Sequence, residues 1–391
     1  MASWSHPQFE KIEGRSMDNI NLMPDEPTRF TPVFMDRMLE HAESLNASDI
    51  TIQTGEPIFA EVYGRLLKIT NRRLSNTELG DLINSIYGPN ATTQLLSGKD
   101  IDTHYEFRPN RGVRYRYRVN ATACLVEGHD AIQITLRTIP TTPPKLSTMN
   151  LPDNIIEAIA PQEGIVFITG ATGSGKSTLL ASIIRELIET SDSNRKVLTY
   201  ESPIEFVYDE IETISAVVSQ SEIPRHLPNF ADGVRNALRR KPRLIMVGEC
   251  RDAETISAAL EAALTGHPVY TTLHTSGVAE TMRRLVTSFS GEERLGRTID
   301  ILETIRLCIW QKLVPTVDER RVALREYLVF DEEVRDILLE GDPNEVTSAT
   351  RKLVRQKGQL MTWDAKMKFE QGIISERVYK LIIAGAKEYQ Q

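Results

Sequence analysis

The sequence predicts an α/β protein: a parallel sheet with helices on both faces, preceded by a smaller α+β domain and followed by C-terminal helices. Three observations point there. Beyond residue 152, short apolar runs alternate with helical patterns: IVFIT, STLLASIIRELIE, KVLTY, FADGVRNALRR, RLIMVG, DAETISAALEAALTG and PVYTTL. Those runs are continuous, as in Leu244 to Val247, which suits strands buried on both sides. Before residue 139 the pattern is different, with alternating strand-like segments of an antiparallel sheet interrupted by two helical ones.

The elements follow in order. Residues 1–16 read as foreign to the fold, with WSHPQFEK (Trp4 to Lys11) as an affinity tag and IEGR (Ile12 to Arg15) as a protease site. The native start is expected at Met17. Residues 17–138 form the α+β domain. In it PVFMDRMLEHAESL has helical spacing, SDITIQTGEPIFAEVYGRLLKI alternates around a Gly-Glu-Pro turn, and LSNTELGDLINSIYG returns to helix. Ser75 and Glu78 stand in the spacing of a capping box. GVRYRYRVNATACLVEG and AIQITLRTI read as strands. Residues 139–152 hold Pro140, Pro143, Pro144 and Pro152 without periodicity and are expected to be an interdomain linker. Residues 153–391 carry the alternating core and, from about Asp331, a mainly helical tail with NEVTSATRKLVRQKG and ISERVYKLIIAGAKEY.

Bulk composition narrows the function. The 391 residues carry a formal charge of -8 and only 6% aromatics, which weighs against nucleic acid as the main partner. No apolar run reaches the ~18 residues of a membrane span. With no secretory pattern after the tag, a cytoplasmic location is expected. Cys124, Cys250 and Cys308 lie too far apart for a disulfide framework or a zinc spacing.

The strongest motif is FITGATGSGKSTLLASII. Gly170 to Ser177 matches G-x-x-x-x-G-K-S between a strand and a helix. Glycines let consecutive N–H groups turn inward, and the first N–H groups of the following helix lack partners and carry partial positive charge. Together they cradle phosphate oxygens. The residues expected to hold ATP or ADP are Gly170, Ala171, Thr172, Gly173, Ser174, Gly175, Lys176, Ser177 and Thr178. Lys176 reaches the outer phosphates, the Ser177 hydroxyl holds Mg²⁺, and Thr178 lies near the α-phosphate.

Hydrolysis also needs carboxylates beside the phosphates. Glu249 follows the buried run LIMVG, and strand ends of open parallel sheets face the ligand crevice. Gly248 stands where such a strand commonly has Asp, so Glu249 is expected to reach Mg²⁺ through water. Its bland alternative is a cap on the next helix. YESPIEF supplies Glu201 and Glu205, either of which could orient or deprotonate the attacking water. TGHPVYTTLHT places His267 before a strand and His274 after it. His274 is a candidate sensor of the terminal phosphate, and His267 a second candidate at the nucleotide.

Taken together, Gly170 to Thr178, TYESPIEF, LIMVGE and TGHPVYTTLHT resemble the Walker A, Asp box, Walker B and His box of the type II/type IV secretion ATPase superfamily, in its order and spacing. The nearest branch resembles the retraction motors of type IV pili and the ATPase of a type IVB secretion system that exports effector proteins. The resemblance implies a RecA-like P-loop NTPase core, a PAS-like N-terminal domain and assembly as a homo-hexamer. It implies partners among cytoplasmic and inner-membrane components of a secretion complex, with recruitment to the inner face of the cytoplasmic membrane. It also makes Arg114, Arg116, Arg118 and Arg137 candidates for contacting phosphates, as a planar, permanent guanidinium suits a transferring phosphoryl group. Without the resemblance, RGVRYRYRV reads as a strand with a solvated basic face. ATRKLVRQKG resembles a C-terminal helix of the retraction branch. Ser202 departs from the family in place of the Asp of the Asp box, Pro268 departs from the apolar residue after His267, and the cysteine quartet of the extension branches is missing.

Three functions compete on this sequence: an ATPase motor of secretion or of pilus retraction, a nucleic-acid translocating motor on the same core, and a scaffold that binds ATP but turns it over slowly. The acidic balance disfavours the second.

Overall fold

The computed structural model describes residues 22–388, so the tag (Trp4 to Lys11), the protease site (Ile12 to Arg15) and Met17 lie outside the described residues. The chain divides into two compact units between Thr141 and Thr142, inside the proline-rich stretch.

The first unit runs α1 (Pro32–Ser44), β1 (Ala47–Gln53), β2 (Phe59–Val62), β3 (Arg65–Lys68), α2 (Asn76–Tyr87), α3 (Ala91–Leu96), β4 (Ile101–Phe107), β5 (Tyr115–Val126) and β6 (His129–Thr138). Its strands form one antiparallel sheet in the order β3-β2-β1-β6-β5-β4. Alternation puts Ile50, Ile52, Val119, Ala121, Ile134 and Leu136 on one face, and that face packs on Met38 and Leu39 of α1 and Leu79, Leu82 and Ile83 of α2. The capping box at Ser75 and Glu78 is present.

Glu78 does more than cap. Its oxygens also accept from the backbone N of Phe30 at 2.7 Å and from Arg72 Nη2 at 2.6 Å. Burial pushes the Glu78 carboxyl up, but Arg72, Ser75 and Phe30 outweigh it and hold the group at about 2. A carboxyl depressed in the folded state stabilises above its unfolded value, and that stability is lost as pH falls through the folded value. The stake is about 3 kcal/mol at neutral pH. Urea midpoints of the wild type should fall steeply from pH 5 towards pH 2, and Glu78→Gln should start lower and fall less. Parallel curves for the two proteins would refute this.

The second unit continues with α4 (Asp153–Ala158), β7 (Gly164–Thr169), α5 (Lys176–Glu189), β8 (Lys196–Glu201), β9 (Val217–Glu222), α6 (Phe230–Ala237), β10 (Leu244–Val247), α7 (Ala253–Leu264) and β11 (Pro268–Leu273). It closes with α8 (Val278–Thr287), α9 (Gly291–Thr304), β12 (Ile305–Pro315), β13 (Arg321–Val329), α10 (Glu332–Glu340), α11 (Val346–Lys357), α12 (Met361–Glu370) and α13 (Glu376–Glu388). The sheet order is β13-β12-β7-β11-β10-β8-β9. Every residue of β7, β10 and β11 is buried, which is why these strands read as continuous apolar runs. Their side chains still alternate. Ile165 and Phe167 enter the core shared with α6 to α11, while Val166 and Ile168 enter the core shared with α4 and α5. The architecture is that of a RecA-like secretion ATPase core.

The sheet departs from a purely parallel one at its edge. β12 runs parallel to β7, but β13 returns antiparallel to β12 after a short turn. A five-residue connection (316–320) can join only antiparallel neighbours. The proline-rich stretch also has structure of its own. Leu146 in a short 3₁₀ turn is buried with α5, and Arg185 Nη1 donates to Pro143 O at 2.5 Å.

Candidate functional site

Parallel register brings three strand ends to one edge. Thr169 of β7 lies opposite Leu273 of β11, and Val247 of β10 lies opposite Thr271. The residues that follow, Gly170, Glu249 and His274, therefore share the C-terminal edge of the sheet. Backbone bonds pin them there: Gly170 N donates to Leu273 O at 3.2 Å, and Cys250 N to Thr272 O at 3.1 Å.

Glycine is needed in the loop for geometry that other residues resist. Gly170 has φ +146 and Gly175 φ +82. A Cβ at Gly170 would stand 2.3 Å from Gln311 O and 2.5 Å from Ser174 Oγ, and one at Gly175 would stand 2.9 Å from Gln311 Nε2. Ala171, Thr172 and Gly173 form the exposed rim, and Ser174 and Lys176 are buried. The loop suits an anion on two counts. Ser174 Oγ is buried with no hydrogen-bond partner. α5 starts behind Gly175 with no side chain on its first N–H groups, so its positive end stays open. Ser177 and Thr178 occupy that first turn, half-buried.

Lys176 Nζ donates to Gly170 O at 3.0 Å and Ala171 O at 2.9 Å. Burial lowers its pKa, and the charges of Glu249 and Glu205 oppose that. Glu249 is mostly buried, with a partner on each oxygen. Arg251 Nε reaches Oε2 at 2.7 Å and His274 Nε2 stands 3.2 Å from Oε1. The helix after β10 takes its cap from Asp252, whose Oδ1 accepts from Thr255 N at 2.8 Å, so Glu249 is not spent as a cap. A Cβ at Gly248 would lie 3.1 Å from Tyr200 O, which leaves little room for the Asp expected there.

Several expected residues lie elsewhere. His267 is at the opposite end of β11, where Nδ1 is 3.1 Å from Ala262 O and 3.3 Å from Thr265 Oγ1. A strand of six residues spans about 20 Å, so the loop and His267 flank opposite edges of the sheet and His267 is a local turn residue in this chain. Glu201 is buried as the last residue of β8 and accepts from Thr199 Oγ1 at 2.6 Å and Gln220 Nε2 at 3.0 Å. The carboxylate charges that raise the Lys176 pKa are those of Glu249 and Glu205.

The arginines of the first unit are held by carboxylates of its own sheet. Arg114 and Arg116 both reach Glu106 Oε2, at 2.7 and 3.3 Å, Arg118 pairs with Asp102, and Arg137 with Asp49 at 2.7 Å. The solvated basic face is corrected, because the Arg116 side chain has no exposed surface. Alternation does hold, since Arg116 and Glu106 are direct cross-strand neighbours on one face.

Sequence reasoning missed the support behind the loop. Gln311 Nε2 donates to Ser174 O at 2.7 Å, and Arg325 Nε donates to Gln311 Oε1 at 2.9 Å. A lone Gln inside the apolar run of β12 was the available signal. Arg251, two residues beyond Glu249, was in plain view.

Residues 28–382 match the family described as Type II/IV secretion system protein. The X-ray structure of the Legionella pneumophila ATPase DotB is 99% identical, with a TM-score of 0.91 over 94% of this chain and 100% of that one. The type IV pilus retraction ATPase PilT of Pseudomonas aeruginosa is 32% identical over 80% of this chain and 87% of its own length. The crystal structure of the pilus retraction motor PilT with bound ADP is 29% identical, with a TM-score of 0.75 over 88% of this chain and 95% of that one.

Proposed function

This chain belongs to the Type II/IV secretion system protein family, and we propose that it is a hexameric motor powering a type IV secretion system of the IVB kind that exports effector proteins. As a secretion ATPase it binds nucleotide and hydrolyses ATP to ADP and phosphate. The observation that carries the site is the meeting of Lys176, Glu249 and His274 at one sheet edge under a glycine loop. The 99% identity with the Legionella ATPase supports the secretion reading. The likeness to PilT supports a second one, a type IV pilus retraction ATPase.

In this mechanism the loop amides and Lys176 hold the phosphates, and Glu249 draws the proton from the attacking water. Glu205 is the second carboxylate within reach of the lysine's field. His274 bonds Glu249 and so can report the terminal phosphate to the base. Arg114, Arg116, Arg118 and Arg137 would exchange carboxylate for phosphate to act on the nucleotide.

The donor set fits Mg²⁺ only in company with phosphate oxygens. Among the described residues no group of three or more His, Cys, Asp or Glu side chains could hold a metal ion. Ser177 would hold the ion directly and Glu249 through water, and the ion would neutralise phosphate charge.

Among the described residues no helix is long and apolar enough to cross a membrane. We place the motor at the inner face of the cytoplasmic membrane through protein partners. The test is mass by light scattering with and without a non-hydrolysable ATP analogue, followed by co-purification from cells. A six-copy ring with the analogue and recovery of secretion-complex proteins are expected. A chain that stays monomeric would sink the ring, and recovery of pilus components instead would sink the IVB reading.

A further inference from the structure

Two of the helices in the second unit that start without a cap of their own lie against β13. α8 begins behind Gly277 and α12 behind Leu360, and neither residue supplies a side-chain bond to the helix. The first N–H groups of a helix have no partner within it. Here a carboxylate of β13 receives α8 and faces the start of α12. Val278 N donates to Glu326 Oε1 at 2.9 Å, and the backbone N–H of Met361 helps to hold the pKa of that carboxyl down. Beside it, Arg351 of α11 pairs with Glu280 in the first turn of α8 at 2.6 Å.

The end of α8 that Glu326 holds adjoins the catalytic edge. Only Thr275, Ser276 and Gly277 separate it from His274. One turn in, Thr281 Oγ1 donates to Gly277 O at 2.8 Å and lies 3.5 Å from Thr169 Oγ1, just before the glycine loop. The site for this anchor is unfavourable for a charge. Burial pushes the Glu326 carboxyl up to about 7, with Glu280 adding to the shift and the two N–H donors and Arg351 opposing it. Packing alone would be served better by a neutral side chain.

We propose that Glu326 is a positioning residue for ATP hydrolysis, receiving the N-terminal N–H of α8 and so fixing the His274 segment to β13. The proposal rests on the reading that His274 acts at the terminal phosphate.

Steady-state hydrolysis of the full chain tests it, with Glu326→Ala, Glu326→Gln, His274→Ala and the Glu326→Ala/His274→Ala pair. Loss of about 1.4 kcal/mol of positioning lowers kcat about tenfold, with KM within about twofold because the phosphate cradle is untouched. Glu326→Gln keeps an acceptor and should restore at least about half the rate. The double variant should be no slower than His274→Ala alone. Wild-type kcat in Glu326→Ala, or additive losses in the pair, would overturn the proposal while leaving His274 intact. Wild-type kcat in His274→Ala would overturn the His274 reading itself and the proposal resting on it. Should Glu326→Ala fail to fold, Glu326→Asp replaces it. Its shorter arm falls short of the Val278 N–H, so the same loss is expected and full activity refutes the idea.

Discussion

Lys176→Ala should leave a folded protein that no longer hydrolyses ATP, with turnover down on the order of 10³-fold. The side chain is 8% exposed and ends on two carbonyls of its own loop, so it joins no apolar cluster whose loss would unfold the chain. Removing it leaves the buried carbonyl of Gly170 and the Ala171 carbonyl at the exposed rim short of a donor, a local cost at the loop. It also removes a buried cation that burial already disfavours. The loss falls on the phosphates, because an ammonium close to a developing charge in a water-poor cleft acts far more strongly than in bulk solvent. Phosphate release, binding of a fluorescent ADP and circular dichroism together decide it. A variant that unfolds, or one that still turns over, contradicts the assignment.

Glu249→Gln should do something different: hydrolysis falls about 10²- to 10⁴-fold while ATP stays bound. The amide keeps the volume and one acceptor but cannot take a proton. Its partners, Arg251 and His274, lose a charge to face, so the Arg251 side chain, 64% exposed, should swing to solvent. Binding depends on the loop and survives, since water activation matters only on the way to the transition state. Filter retention of labelled ATP beside single-turnover phosphate release separates the two effects. If wild type and variant are equally slow, the chain is a nucleotide-gated scaffold and not a motor.

Much of this was legible because parallel sheets have a simple grammar. A buried strand reads as a continuous apolar run, and its C-terminal end faces the crevice, so Gly170, Glu249 and His274 could be placed together from the sequence. His267 could not be placed so simply. It is as close in sequence to the strand as His274 is, but a strand has two ends and only one faces the loop. Glu201 and Glu205 were indistinguishable until β8 was seen to end at Glu201 and turn that carboxylate onto Gln220. β12 and β13 went unassigned because they follow one another as an antiparallel pair, with no helix between them to continue the alternation that marks the others. Gln311, Arg325 and Glu326 act across strands that are distant in sequence from the loop, and spacing within one motif carries no record of such contacts. The capping box at Ser75, by contrast, is complete within four residues and was readable as it stands.

The two bonds from Lys176 to the carbonyls of its own loop have a further bearing on cycling. Because the ammonium is already satisfied, arriving phosphate swaps one set of partners for another, and departing ADP is offered a ready replacement. A departing product therefore strands no bare cation in the cleft. An ATPase that must discard spent nucleotide many times is served by a lysine that can let go.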